Sequence, residues 1–113
     1  MPNPLMMTAK SNCFARFFRR AGWQQRITIE KGSIKHVVVC QDIPTDVGGI
    51  EAGEWKITHE FFYPGTNKWT VGVKGEIFDD NEYSTQAGFD DGINEGDNDY
   101  NDANVWFVYK EKF

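Results

Sequence analysis

The residues richest in chemistry lie near the C-terminal end, in Phe89-Asp90-Asp91-Gly92-Ile93-Asn94-Glu95-Gly96-Asp97-Asn98-Asp99-Tyr100-Asn101-Asp102. Asp90, Asp91, Glu95, Asp97, Asp99 and Asp102 place six carboxylates in thirteen residues, with no Lys or Arg among them. Two ionised carboxylates about 5 Å apart repel by roughly 3 kcal/mol at an effective dielectric near 20. Several such pairs in one loop oppose folding unless a cation neutralises them. Only oxygen donors are offered: Asp, Glu and Asn side chains and backbone carbonyls. That donor set suits calcium rather than zinc or copper. Gly92 and Gly96 allow the tight turns that gather donors from separated positions. One or two calcium ions are therefore the expected cofactor of the segment 90–102.

The spacing excludes an EF-hand. Asp97, Asp99 and Asn101 fit its first, third and fifth positions, but Asp102 stands where Gly is required and Val108 where the bidentate Glu is required. The ion must be held in another kind of loop.

Elements that could carry such a loop follow from period-two alternation. Arg26-Ile27-Thr28-Ile29-Glu30 alternates polar and apolar, Lys31-Gly32-Ser33 reads as a turn, and Ile34 to Cys40 is a β-branched run. In Glu54 to Phe62, Trp55, Ile57, His59 and Phe61 share one face. Pro64-Gly65-Thr66-Asn67 supplies a turn, and Trp69, Val71 and Val73 resume the alternation, with Trp55 and Trp69 expected in the core. Glu76-Ile77-Phe78 reads as an extension of that second arm, and Asn104 to Tyr109 as a last strand. Pro44, Gly48 and Gly49 read as loop. Ala15 to Arg20 fits either a helical turn or an edge strand. Six or seven strands without an amphipathic helix imply an all-β chain, an antiparallel two-sheet β-sandwich. The expected organisation is a basic, partly ordered arm, 1–25, followed by a β-sandwich, 26–113, that carries the calcium loop 90–102.

Charge is unevenly spread. Residues 1–29 carry Lys10, Arg16, Arg19, Arg20 and Arg26 and no acid, whereas residues 75–109 carry ten acids and no Lys or Arg. The two segments can attract one another within the fold or between subunits, the alternative being that the basic end is a solvated face. A net charge of −5 argues against a nucleic-acid partner. No stretch is apolar and long enough for membrane insertion, and the start lacks a signal peptide's order of charged then apolar residues, so synthesis in the cytoplasm is expected, with any release by another route. Cys13 and Cys40 do not form a disulfide framework, and Cys40, ending an apolar run, reads as a buried thiol.

Asp97-Asn98-Asp99-Tyr100-Asn101-Asp102-Ala103, running into a hydrophobic C-terminal strand, resembles the calcium-mediated bacterial lectins that bind fucose and mannose. Their motif reads Glu-Asp-Gly-x-Asp-Asn-Asp-Tyr-Asn-Asp-Ala. The resemblance implies a small antiparallel β-sandwich, two adjacent calcium ions and sugar hydroxyls completing their coordination. It places Asp97, Asp99, Asn101 and Asp102 at metal-ligand and sugar-binding positions, with Asp90, Asp91 or Glu95 filling the shell. This chain departs from the motif in two respects. Asp90-Asp91-Gly92 stands for Glu-Asp-Gly and is followed by three extra residues, so either Asp90 or Glu95 takes the role of the leading Glu. The chain ends in Lys112-Phe113, where the family ends in a glycine whose carboxylate serves the neighbouring subunit.

The expected function is calcium-dependent binding of a glycan such as fucose or mannose, with multivalency favouring a homo-oligomer. The alternative is a structural or protein-interaction module that calcium stabilises. Catalysis is not expected. No nucleophile motif or phosphate-cradling loop is present, and carboxylates beside calcium have lowered pKa values, which suits ligands better than proton donors.

Overall fold

Ten strands account for most of the chain in a computed structural model, which describes residues 4–72, 74–91 and 102–110. They are β1 (Leu5–Ala9), β2 (Cys13–Arg19), β3 (Gln25–Lys31), β4 (Ile34–Cys40), β5 (Thr45–Ile50), β6 (Gly53–Tyr63), β7 (Lys68–Val71), β8 (Lys74–Phe78), β9 (Ser84–Asp90) and β10 (Ala103–Val108). One sheet runs β1-β6-β3-β4, with β7 also pairing to β6, and the other runs β5-β2-β10-β9-β8. Every pairing is antiparallel. The protein is the expected β-sandwich.

The alternation in β6 explains why this strand is central. Trp55, Ile57, His59 and Phe61 are buried, while Glu54, Lys56, Thr58 and Glu60 alternate with them on the outer face. At eleven residues, β6 is long enough to pair with β1 over Gly53–Ile57 and with β7 over Glu60–Tyr63. Ile27 and Ile29 of β3 face the same interior. The opposing sheet contributes Ala15 and Phe17 of β2, Ala87 and Phe89 of β9, and Val105 and Phe107 of β10. Each large apolar side chain fully buried in this layer stabilises the fold by about 1.5–3 kcal/mol.

Several expectations change. Residues 1–25 are not only an arm ahead of the sandwich, since β1 and β2 lie within them. Leu5, Met7 and Ala9 alternate into the core, a pattern the flanking prolines obscured. Of the two options open for Ala15–Arg20, the chain adopts a strand, and β2 is interior rather than at an edge, between β5 and β10. The segment around Gly48 and Gly49 belongs to β5, with Gly49 at a φ of 73°. Glu76-Ile77-Phe78 does not extend β7. It belongs to β8, which pairs with β9 in the other sheet. Trp69 leaves the core because the four-residue turn sets its register opposite Phe62, on the outer face of β6. There its ring lies 4.2 Å from the Arg26 guanidinium. Asn67 closes that turn at a φ of 57°, a conformation Asn tolerates.

Among the described residues, a side-chain ion pair joins the basic N-terminal segment to the acidic one at Lys10. Lys10 Nζ pairs with Asp80 at 2.8 Å and donates to the Asn81 carbonyl at 2.7 Å. Arg16 and Arg26 instead pair with Asp46 and Glu60 in the middle of the chain. Both cysteines are free, with Cys40 buried. Burial pushes the Cys13 thiol up to about 11 and that of Cys40 to about 12. No helix among the described residues is long and apolar enough to cross a membrane.

Candidate functional site

The acidic segment springs from one end of the sandwich, between β9 and β10. Asp102 N–H donates to the Phe89 carbonyl at 3.0 Å, and Asp91 N–H donates to Asp102 Oδ2 at 2.7 Å. These two bonds close the base of the loop. The Asp102 carbonyl accepts from Arg20 N–H at 3.0 Å and Ala21 N–H at 3.3 Å, which fixes the end of β2 against the start of β10.

The connection from β2 to β3 completes the wall. Ala21, Gly22, Trp23, Asp91 and Asp102 line a cleft of about 290 Å³. Trp23 is 38% exposed and stacks on Phe61 with centroids 5.7 Å apart and planes inclined by 14°. Tyr63 meets it edge-on at 5.5 Å. One side of the indole is thus anchored on the core rim, and the residue stands beside two carboxylates. No Lys or Arg lines the cleft among the described residues. A larger groove of about 670 Å³ crosses the outer face of the second sheet, with Phe18 and Trp106 in its floor and Arg16, Arg20 and Lys110 on its rim. It contains none of the acids expected to bind metal.

Beneath the cleft lies a buried polar chain. Gln25, the first residue of β3, is fully buried. Its Nε2 donates to Asp91 Oδ2 at 2.9 Å and to the Trp23 carbonyl at 3.2 Å. Its Oε1 lies 2.6 Å from His59 Nε2. His59 is also fully buried and stacks on Phe89 with centroids 5.0 Å apart. Desolvation pushes His59 down to about 3, so the imidazole is neutral at physiological pH. Gly72 lies against this ring, where a Cβ would collide with Nδ1.

The structure brings together two of the sequence-predicted metal residues, Asp91 and Asp102. Asp90 is fully buried and stands in register opposite Lys74. Antiparallel partners share a face, so the acidic run does have a basic neighbour, supplied by β8. Glu95, Asp97, Asp99 and Asn101 lie outside the described residues. Among the described residues, no group of three or more His, Cys, Asp or Glu side chains is gathered as a metal cluster.

The sequence does not single out Gln25 or His59 as site residues, whereas Trp23 is one of four tryptophans whose rings could stack on a sugar. A signal existed for Gln25: the inward alternation of Ile29 and Ile27 extends back to it, marking a polar residue on a core face. His59 shares the inner face of the Glu54–Phe62 alternation, and nothing in the sequence links it to Gln25.

No protein-family model and no curated protein matches the sequence. A solved lectin domain shares the fold. The C-terminal domain of BC2L-C lectin from Burkholderia cenocepacia aligns over 99% of this chain and 100% of its own, with a TM-score of 0.55 and 14% sequence identity. The likeness at this identity is one of architecture.

Proposed function

We propose that this protein is a carbohydrate-binding domain whose ligand site is built on calcium held at the acidic end of the sandwich. The observation carrying this reading is the pair Asp91 and Asp102, held side by side in a cleft that also contains Trp23. The architecture shared with a lectin domain supports it.

The described residues fit calcium. Their donors are carboxylate oxygens, and among the described residues no Lys or Arg lines the cleft. Asp91 Oδ2 is committed to Gln25, whereas Oδ1 has no hydrogen bond among the described residues. Asp91 and Asp102 would hold the ion together with Asp97, Asp99 and Asn101, and with Asp90 or Glu95 by the sequence argument. Calcium bound here would offset the charge of the segment and present coordination positions to neighbouring sugar hydroxyls. Carboxylate oxygens accept hydroxyl protons in charge-assisted bonds, which are stronger than neutral ones. The exposed part of Trp23 supplies an apolar surface for the C–H face of a pyranose.

Isothermal titration of the metal-free protein with calcium, then with a panel including fucose and mannose, tests both parts. Heat with calcium and then with a sugar is the expected result. No heat with calcium overturns the metal assignment. Calcium heat followed by no sugar heat assigns the ion a structural role and overturns the carbohydrate reading.

A further inference from the structure

We propose that Gln25, anchored by His59, is a positioning residue that fixes the orientation in which the Asp91 carboxylate is presented to the cleft. The proposal rests on the calcium reading above. It adds a determinant located in the core, thirty-four residues upstream of its anchor.

The orientation of the Gln25 amide follows from its neighbours. Two of its three contacts, the Trp23 carbonyl and the Asp91 carboxylate, are with groups that only accept. The NH₂ end must face them, because a flipped amide would set an oxygen against both acceptors. Oε1 is thereby turned to His59 Nε2, which must carry the hydrogen. The neutral Nε2–H form of His59 satisfies this, and burial keeps the ring neutral. Each member therefore fixes the next. His59 is clamped between Phe89 and the β7–β8 crossing at Gly72, it fixes the Gln25 amide, and the amide fixes Asp91 Oδ2.

The same amide holds the Trp23 backbone, so one buried side chain aligns both the carboxylate and the aromatic wall. Apolar side chains would fill this part of the interior without the desolvation cost of an amide and an imidazole. The polar pair instead gives Asp91 a single presentation. Outer partners of metal-binding carboxylates typically change metal affinity by about tenfold to a hundredfold when removed.

The test uses the full chain stripped of metal, titrated with calcium chloride by calorimetry, with thermal melting of the stripped proteins measured in parallel. The main variant is Gln25→Leu with His59→Leu, which removes both partners of the fully buried Oε1–Nε2 bond and leaves the Trp23 carbonyl and Asp91, both lining the cleft, to be solvated there. The expected result is a melting temperature close to wild type and calcium binding about tenfold to a hundredfold weaker. A purely structural pair would leave calcium affinity unchanged, so binding within twofold of wild type overturns the positioning role and leaves the calcium reading standing. Failure of the wild type to bind calcium overturns both. Should the double variant not fold, Gln25→Asn takes its place. This variant keeps the amide but withdraws it by one methylene from Asp91. Weakened calcium binding with wild-type melting supports the role, and unchanged binding overturns it.

Discussion

Acidification should destabilise this protein through His59 before pH reaches the ordinary carboxylate range. The residue is fully buried, and its pKa falls from 6.5 to about 3. Since the folded value is the lower one, the unfolded chain binds the extra proton between these limits. Stability is complete above pH 6.5 and is lost as pH falls toward 3. Each pKa unit corresponds to 1.36 kcal/mol, so the loss reaches about 2 kcal/mol at pH 5. For a domain whose total stability is about 5–15 kcal/mol, that loss is readily measured. Asp46 and Asp80 have values lowered by Arg16 and Lys10, so their contributions disappear only below the ordinary carboxylate range near 3.8. Urea unfolding followed by tryptophan fluorescence, in chelator at pH 7.5, 6.5, 5.5 and 5.0, isolates the effect. The wild type should lose stability with a slope approaching one proton per molecule below pH 6. Gln25→Leu combined with His59→Leu should be nearly flat over the same range. A wild-type curve without a slope, or the same slope in the double variant, refutes the argument that burial holds this ring neutral.

Calcium at a hundred times its dissociation constant should stabilise the protein by about 2.7 kcal/mol, read as a rise in melting temperature that excess chelator reverses. Gly72→Ala drives a methyl into the His59 ring and should cost about 1–3 kcal/mol in urea unfolding, while alanine at Gly22, which meets nothing within 4 Å, should change little. Asp46→Asn removes a pair whose side chains are 34% and 47% exposed, so it should cost less than about 1 kcal/mol, and less still at high salt. In the native state a thiol reagent should leave Cys40 unmodified, because burial raises its pKa to about 12 and shields the sulfur. Reaction of Cys40 under native conditions would show that β4 opens readily.

The sequence made the sandwich legible wherever one face is wet. Trp55, Ile57, His59 and Phe61 alternate with charged or hydroxylated residues, and the structure buries that set. The same logic failed at β7, because alternation reports that two faces differ and does not report which one is inner. Register decides that, and the turn at Pro64–Asn67 placed Trp69 opposite Phe62. The division of β7 and β8 between two sheets has no local mark, since both strands satisfy their own pattern wherever they pair. At the candidate site, the acids identify themselves by density, and the structure brings Asp91 and Asp102 together at the base of the segment. Gln25 and His59 meet through the β3–β6 pairing, where Ile27 is the register partner of His59 and Gln25 that of Phe61. Such a neighbour two positions away across strands follows from tertiary pairing, which no spacing along the chain encodes.

The closure between Asp91 and Asp102 separates the length of the acidic segment from the geometry of the strands beneath it. Because Asp102 N–H bonds to the Phe89 carbonyl, β9 and β10 leave the sheet at a fixed point, with ten residues, 92–101, between the two closing acids. Lengthening such a connection from seven residues to ten adds only about 0.3 kcal/mol of closure entropy. Residues can therefore be inserted or removed between Gly92 and Asp97 while the strands keep their register. The pinch works as a collar that makes the enclosed segment exchangeable.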